Sequence, residues 1–215
     1  MKQFIYIFIS LFLFGSAISA QNATEILDKA ATIYTNSNGI IVTFAMRTHS
    51  QQQNITESFE GKINIKGDKF TLVTPGMHIW YDGKTQWIYK DQADEVNINI
   101  PTDDELQFTN PAILLKTYKK AFNASFTGES TATNGKAAYD IELTPKKKND
   151  ITKITLQIEK FSGLPANIAI QMKNDISNNI SISELKKDIN QPDSFFSFNE
   201  ADYPDAFVID LRDLQ

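Results

Sequence analysis

Apolar residues recur along the chain with two different periods. Between Asn22 and Tyr34, the residues Ile26, Leu27, Ala30, Ala31 and Tyr34 fall at helical spacing, behind a capping Asn22 with Glu25 three positions on. This predicts one amphipathic helix over 22–35, stopped by the turn formers Thr35-Asn36-Ser37-Asn38-Gly39. From Ile40 the period drops to two. Ile40, Val42, Phe44 and Met46 alternate with smaller or polar neighbours, and Phe59, Gly61, Ile63 and Ile65 alternate with Ser58, Glu60, Lys62 and Asn64. Such alternation predicts half-buried strands.

Strands and turns then follow one another closely. Gly67-Asp68 leads into Phe70 and Leu72, Pro75-Gly76 breaks the chain, and MHIWYDGKTQWIY (77–89) reads as a hairpin around Asp82-Gly83. Val96, Ile98 and Ile100 continue the pattern. A second helix is predicted at Asn110 to Phe122, with Asn as cap, Pro111 at the first helical position and lysines in the last turn. Tyr139 to Leu143, Ile154 to Ile158, Ile168 to Met172 and Ile176 to Ile182 resume the alternation, divided by turn clusters. Short connections favour antiparallel pairing. About ten or eleven strands and two helices are expected, too many strands for a flat open sheet, so the sheet should curl into a barrel or a deep curve.

The first twenty residues belong to a different problem. Lys2, the apolar run from Phe4 to Phe14 and the small residues Ser16-Ala17-Ile18-Ser19-Ala20 read as an export signal over 1–20, cleaved after about Ala20. The run is shorter than the ~20 residues a spanning helix needs. Residues 21–215 are then expected to form one exported domain. There is no cysteine, which excludes disulfides and a lipid-bearing N-terminal cysteine. With 26 acidic against 21 basic residues the formal charge is −5, which argues against a nucleic-acid partner.

Candidate chemistry is sparse. His49 and His78 stand at no metal-ligand spacing, and the carboxylates of Asp91 to Glu95 and Thr102 to Glu105 do not fit a calcium loop. The run Lys146-Lys147-Lys148 reads as a solvated connection. No nucleophile elbow, phosphate loop or HExxH motif is present, so neither enzyme nor cofactor is expected. What stands out instead is the hairpin, which holds both tryptophans of the chain. Any even-length loop places Trp80, Trp87, His78 and Tyr89 on one face. Periodicity alone leaves open whether that face is ordinary core or the wall of a cavity.

Several motifs, taken in order, carry a resemblance. Gly61-Lys62-Ile63-Asn64-Ile65-Lys66, Asp82-Gly83-Lys84-Thr85-Gln86-Trp87-Ile88-Tyr89, Asn110-Pro111 with Leu114-Leu115, Leu143-Thr144-Pro145-Lys146 and Phe196-Ser197-Phe198 resemble the periplasmic outer-membrane lipoprotein carriers, the LolA family. The resemblance implies an incomplete, half-open antiparallel β-barrel with helices covering a hydrophobic cavity. It also implies a periplasmic, monomeric carrier of lipoprotein acyl chains, loaded by an inner-membrane ABC release complex and unloaded by an outer-membrane acceptor. A module of the same fold that binds or senses envelope lipids without ferrying them is the alternative. The family's strand ends in an Arg-Pro pair whose arginine helps hold the lid closed, whereas here Lys66 is followed by Gly67-Asp68.

The expected cavity wall comprises Phe44, Met46, Phe59, Ile63, Ile65, Phe70, Leu72, Trp80, Trp87, Tyr89, Ile141, Leu156 and Ile170 on strands, with Leu114, Leu115 and Tyr118 on the second helix. At ~0.8 kcal/mol per methylene, exposing an acyl chain of about sixteen carbons to water costs on the order of 12 kcal/mol, so a carrier has to shield it.

Overall fold

The computed structural model describes residues 22–106, 109–148 and 150–214, so the expected export signal at 1–20 lies outside the described residues. Helix α1 spans 22–36 and buries Ala23, Leu27, Ala30 and Tyr34, the stripe that the helical spacing marks. Strands β1 (Ile40–Ser50), β2 (Ile55–Lys66), β3 (Lys69–Thr74), β4 (Met77–Tyr81), β5 (Gln86–Lys90) and β6 (Glu95–Asn99) follow as a meander. Next come a short helix α2 (Asp103–Leu106) and α3 (Pro111–Ala121). The chain returns through β7 (Phe122–Thr131), β8 (Ala137–Pro145), β9 (Ile151–Glu159), β10 (Pro165–Met172) and β11 (Ile176–Lys187), and ends with 3-10 turns and β12 (Phe207–Asp210).

The twelve strands of the described residues belong to one sheet, in the order β12-β6-β5-β4-β3-β2-β1-β11-β10-β9-β8-β7. Consecutive antiparallel strands supply all the pairings but two: β1 meets β11 over a long separation, still antiparallel, and β12 runs parallel to β6, with Val208 beside Val96. The sequence predicts ten or eleven antiparallel strands. The twelfth escapes because it is four residues long and half exposed, too short for alternation to register. The sheet does not close, since β12 and β7 at its two ends are not hydrogen-bonded neighbours.

Alternation sorts the side chains onto two faces. The inner face carries Val42, Ile63, Phe70, Ile79, Ile141, Leu156 and Ile168, which join the buried stripes of α1 and α3 in one core. The outer face is mostly a polar ladder: Asn64 donates to Thr71 at 2.9 Å, and Asn167 donates to Asn179 and Ser181 at 2.9 and 3.1 Å. Opposite β1, the register slips between Thr43 and Phe44, so that β11 carries one extra residue there. The bulge hands the inward role from Ile180 and Ile182 to Leu185, which keeps the core side of β11 apolar from Ile180 to Leu185.

Local chemistry sets the helix ends. Asn110 caps α3 by accepting from the Ala112 N–H at 2.9 Å, with Pro111 at the first position. The predicted start at Asn110 therefore holds, while Phe122 has already become the first residue of β7. Thr102 and Glu105 form a capping box at α2: the Glu105 carboxylate accepts from the Thr102 N–H at 2.7 Å and from its hydroxyl at 2.8 Å. Those two bonds hold the Glu105 carboxyl below its ordinary range. Among the described residues no helix is long and apolar enough to cross a membrane.

Candidate functional site: an apolar cavity between the sheet and α3

A cavity of about 320 Å³ opens between the inner face and the start of α3. Its wall comes from Val42, Phe44 and Met46 on β1, Phe59 and Ile63 on β2, Leu72 and Thr74 on β3, and Met77 and Ile79 on β4. Ile168 and Ile170 on β10 and Ile180 and Ile182 on β11 complete the sheet side; Thr109, Pro111 and Leu114 form the roof. Among the described residues, two threonines are the only polar side chains on this surface. The volume lies at the lower end of the ~300–1,000 Å³ usual for small-ligand sites, and the chemistry of the wall suits hydrocarbon.

Cross-strand register explains why these residues converge. Phe44 lies opposite both Gly61 and Ile182, and Met46 lies opposite Phe59 and Ile180, so neighbouring inner-face residues stack in layers across β2, β1 and β11. Exposure rises along the layers. Val42 and Ile63 are 2% and 3% exposed, whereas Met46, Phe59, Ile170 and Ile180 are only half-buried. The cavity therefore opens at the end of the sheet where β1 and β10 finish and β2 and β11 begin.

The roof is tied down by ion pairs. Lys116 of α3 reaches Asp68 in the β2–β3 turn at 2.8 Å, and Lys119 reaches Asp28 of α1 at 2.6 Å. Tyr118 donates to the same Asp28 at 3.3 Å, and burial together with that carboxylate pushes its hydroxyl up to about 12. Lys66, at the end of β2, points away from α3: it donates to the Gln191 carbonyl at 2.8 Å and pairs with Asp193 at 3.1 Å. Lys69 meets the same Asp193 at 2.8 Å, and the two ammonium groups hold that carboxyl below its usual range. The Gly67-Asp68 turn faces α3 through the Asp68–Lys116 pair.

Sequence reasoning places Phe44, Met46, Phe59, Ile63, Leu72, Leu114 and Ile170 on the cavity wall, and the structure brings these seven together there. Ile65, Phe70, Leu115, Tyr118, Ile141 and Leu156 are buried in the contiguous core beside it and do not line it. Trp80, Trp87 and Tyr89 lie on the opposite face. The reading of the hairpin as one aromatic face is met, since Asp82 to Thr85 form a four-residue loop that sets Trp80 directly opposite Trp87 and His78 opposite Tyr89. The Asp82 carboxylate accepts from the Lys84 and Thr85 N–H groups at 2.9 and 2.8 Å, and Gly83 takes a φ of 101°. But Met77 and Ile79 face the cavity, so their alternates His78 and Trp80 must face outward.

That outer aromatic face is covered by the end of the chain. Trp80 meets Phe198 and Tyr203 edge-on at 5.5 and 5.6 Å, Tyr203 packs on Tyr89 at 4.6 Å, and the His78 ring stacks on Trp80 at 3.6 Å. Burial there lowers the His78 imidazole to about 4, against a smaller opposing pull from Asp91. The wall residues that the sequence reading omitted are chiefly Val42, Ile79, Ile168, Ile180 and Ile182. Their alternation is visible in the sequence, but only the strand pairings show that they border one space: Ile180, Ile182 and Ile168 join through the pairing of β1 with β11 and of β11 with β10, and Ile79 joins through Leu72 and Ile63 to Val42.

This cavity geometry can be set beside known proteins. The sequence model of the family described as outer membrane lipoprotein carrier protein LolA matches residues 12–175, most of the chain. The chain belongs to the LolA family. No curated protein matches it in sequence. An uncharacterized conserved protein from Thermus thermophilus shares the fold at a TM-score of 0.61 and 14% identity, covering 88% of this chain and 99% of that one. The structure of a putative outer membrane lipoprotein-sorting protein domain from Vibrio parahaemolyticus overlaps at a TM-score of 0.46 and 12% identity, covering 86% and 99%. A LolA superfamily protein from Nitrosomonas europaea overlaps at 0.46 and 15%, covering 82% and 97%. The LolA match ends at 175, so β11, the covering aromatic segment and β12 lie beyond it.

Proposed function

We propose that this LolA-family chain carries lipoprotein acyl chains, holding them in the cavity between β1–β4, β10–β11 and α3 while they pass between the two membranes. The observation that supports this most is the wall itself, on which Thr74 and Thr109 supply the only polar side chains among the described residues. Hydrocarbon placed there leaves few polar groups without partners, and each buried methylene contributes ~0.8 kcal/mol. A wall without anchoring hydrogen bonds also lets go readily to a second apolar site, as a carrier must.

In this reading the open twelve-stranded sheet acts as an incomplete barrel and α1 and α3 act as its cover. Residues 21–215 work as a single monomeric domain in the periplasm, exported by residues 1–20. The Asp68–Lys116 and Asp28–Lys119 pairs hold the cover down, and α3 lifts to admit cargo larger than the cavity of about 320 Å³. Cargo arrives from an inner-membrane ABC release complex and leaves to an outer-membrane acceptor. Native mass spectrometry of the protein isolated from the cell envelope tests the reading: co-purified acylated protein supports it, co-purified free phospholipid favours a non-ferrying lipid-binding module, and a cavity that never takes up acyl chains contradicts both.

A further inference from the structure

The run Lys146-Lys147-Lys148, which the cavity does not use, gains company in the fold. The Lys146 N–H donates to the Ala121 carbonyl at 2.8 Å and its ammonium reaches the Lys119 carbonyl, which sets the run against the C-terminal end of α3 with Lys119 and Lys120. The Lys173 N–H donates to the Asp150 carbonyl at 2.8 Å, which brings the β10–β11 turn alongside. Lys153, two residues into β9, completes the group. Seven lysines thus gather on one side of one end of the sheet.

Among the described residues the carboxylates on or beside these elements include Asp28, Glu142, Asp150 and Asp175. Asp28 and Glu142 are engaged by Lys119 and Lys153. Lys147, Lys148 and Lys173 are exposed and make no ion pair among the described residues. This basic cluster stands out on a chain of net charge −5, and the carboxylates Asp91 and Asp94 in the β5–β6 turn and Glu95 at the start of β6 collect at the far side of the same end. It is also the end at which the cavity opens: Ile170, half-buried on the wall, lies two residues before the end of β10, and Lys173 follows that end directly.

We propose that this lysine cluster docks the protein on an anionic lipid surface with the cavity mouth facing the bilayer. The proposal rests on the acyl-carrier reading for its purpose, though not for its test. Exposed lysines are mobile point charges that suit a diffuse layer of headgroups better than a shaped protein partner. Their attraction acts within a Debye length, ~8 Å at physiological ionic strength, so carboxylates farther than that from the contact are screened, while Asp150 and Asp175 beside the lysines offset part of the attraction. Docking is then weak and salt-sensitive, as a shuttle requires.

The test is co-sedimentation of the full protein with phosphatidylcholine vesicles, with and without about one third phosphatidylglycerol, at low salt and at ~0.5 M salt. Binding is expected only to the anionic vesicles at low salt, and a Lys147→Glu/Lys148→Glu variant should bind at least ~10-fold more weakly. Lys62→Glu/Lys187→Glu, which makes the same charge change elsewhere, serves as the control. No binding to anionic vesicles, equal binding to neutral ones, or equal losses in both double variants would overturn the proposal. Uptake of an apolar dye, read in parallel, reports on the cavity alone and is expected to stay the same in all three proteins.

Discussion

The Phe44 ring lies across Gly61 on the neighbouring strand, so close that a Cβ added at Gly61 would stand 2.4 Å from its Cζ. Gly61 has no unusual backbone angle; what the position requires is the missing side chain. The ring that fills this notch also forms part of the cavity wall. Gly61→Val should therefore drive Phe44 off the strand and into the cavity. We expect a stability loss of about 1–3 kcal/mol and a clear drop in uptake of a fluorescent fatty acid, and Phe44→Leu in the same background should restore part of the uptake. Unchanged uptake in Gly61→Val would show that the ring does not border the binding space.

Trp87 belongs to the other face, opposite Trp80 and away from the cavity. A charge there should leave acyl uptake intact. Ile182→Glu, on the wall, should abolish most of it while the circular dichroism stays β-rich. Fatty-acid titrations of the two variants separate the faces, and equal losses in both would contradict the assignment.

The neutral, half-buried His78 makes the outer aromatic cover sensitive to acid. Its pKa falls from 6.5 to about 4, so the folded state binds fewer protons than the unfolded state between those values. The stability it permits is present above about 6.5 and is lost progressively as pH drops toward about 4. Melting temperature should decline across that window, and His78→Phe should flatten the decline. Identical pH profiles would remove His78 from the explanation.

Tyr34 of α1 is 3% exposed, and its hydroxyl finds no hydrogen-bond partner among the described residues. Burial pushes its pKa upward, so it stays neutral at every physiological pH. Removing an unsatisfied hydroxyl at nearly constant volume should help: Tyr34→Phe is expected to raise unfolding free energy by about 1 kcal/mol in urea titrations. Destabilisation would mean that the hydroxyl is satisfied in solution.

The two ties on α3 are exposed pairs, with Lys116 and Asp68 at 61% and 60% side-chain exposure. Such pairs contribute under about 1 kcal/mol each. Asp28→Asn/Asp68→Asn should accordingly change stability little but speed entry of an apolar probe in stopped-flow measurements. Unchanged entry rates would argue that α3 is held by its buried face alone.

Most of the fold was legible because strand and helix periods are strong local signals, and parity is preserved by any even loop. The hairpin shows the limit. Alternation placed Trp80 with Trp87 but could not say which side faced the core, because the residues that cover them, Phe198 and Tyr203, lie more than a hundred positions away. The cavity was half legible for a related reason. Phe44 and Met46 announce an apolar face, yet Ile180 and Ile182 join it only through the pairing of β1 with β11 and the bulge that sets its register. The four residues of β12, paired parallel with β6, offered no periodic signal at all.

The central claim, that acyl chains lie in the space between β1, β2, β10, β11 and α3, is tested most directly by photocrosslinking. A fatty acid bearing a diazirine along its chain is bound, irradiated, and the adducts are located by peptide mass spectrometry. Adducts on Met46, Phe59, Ile170, Ile180 or Leu114, competed away by unlabelled acyl chain, are the predicted result. Adducts confined to the outer face around Trp80 and Trp87, or none that competitor removes, would contradict it.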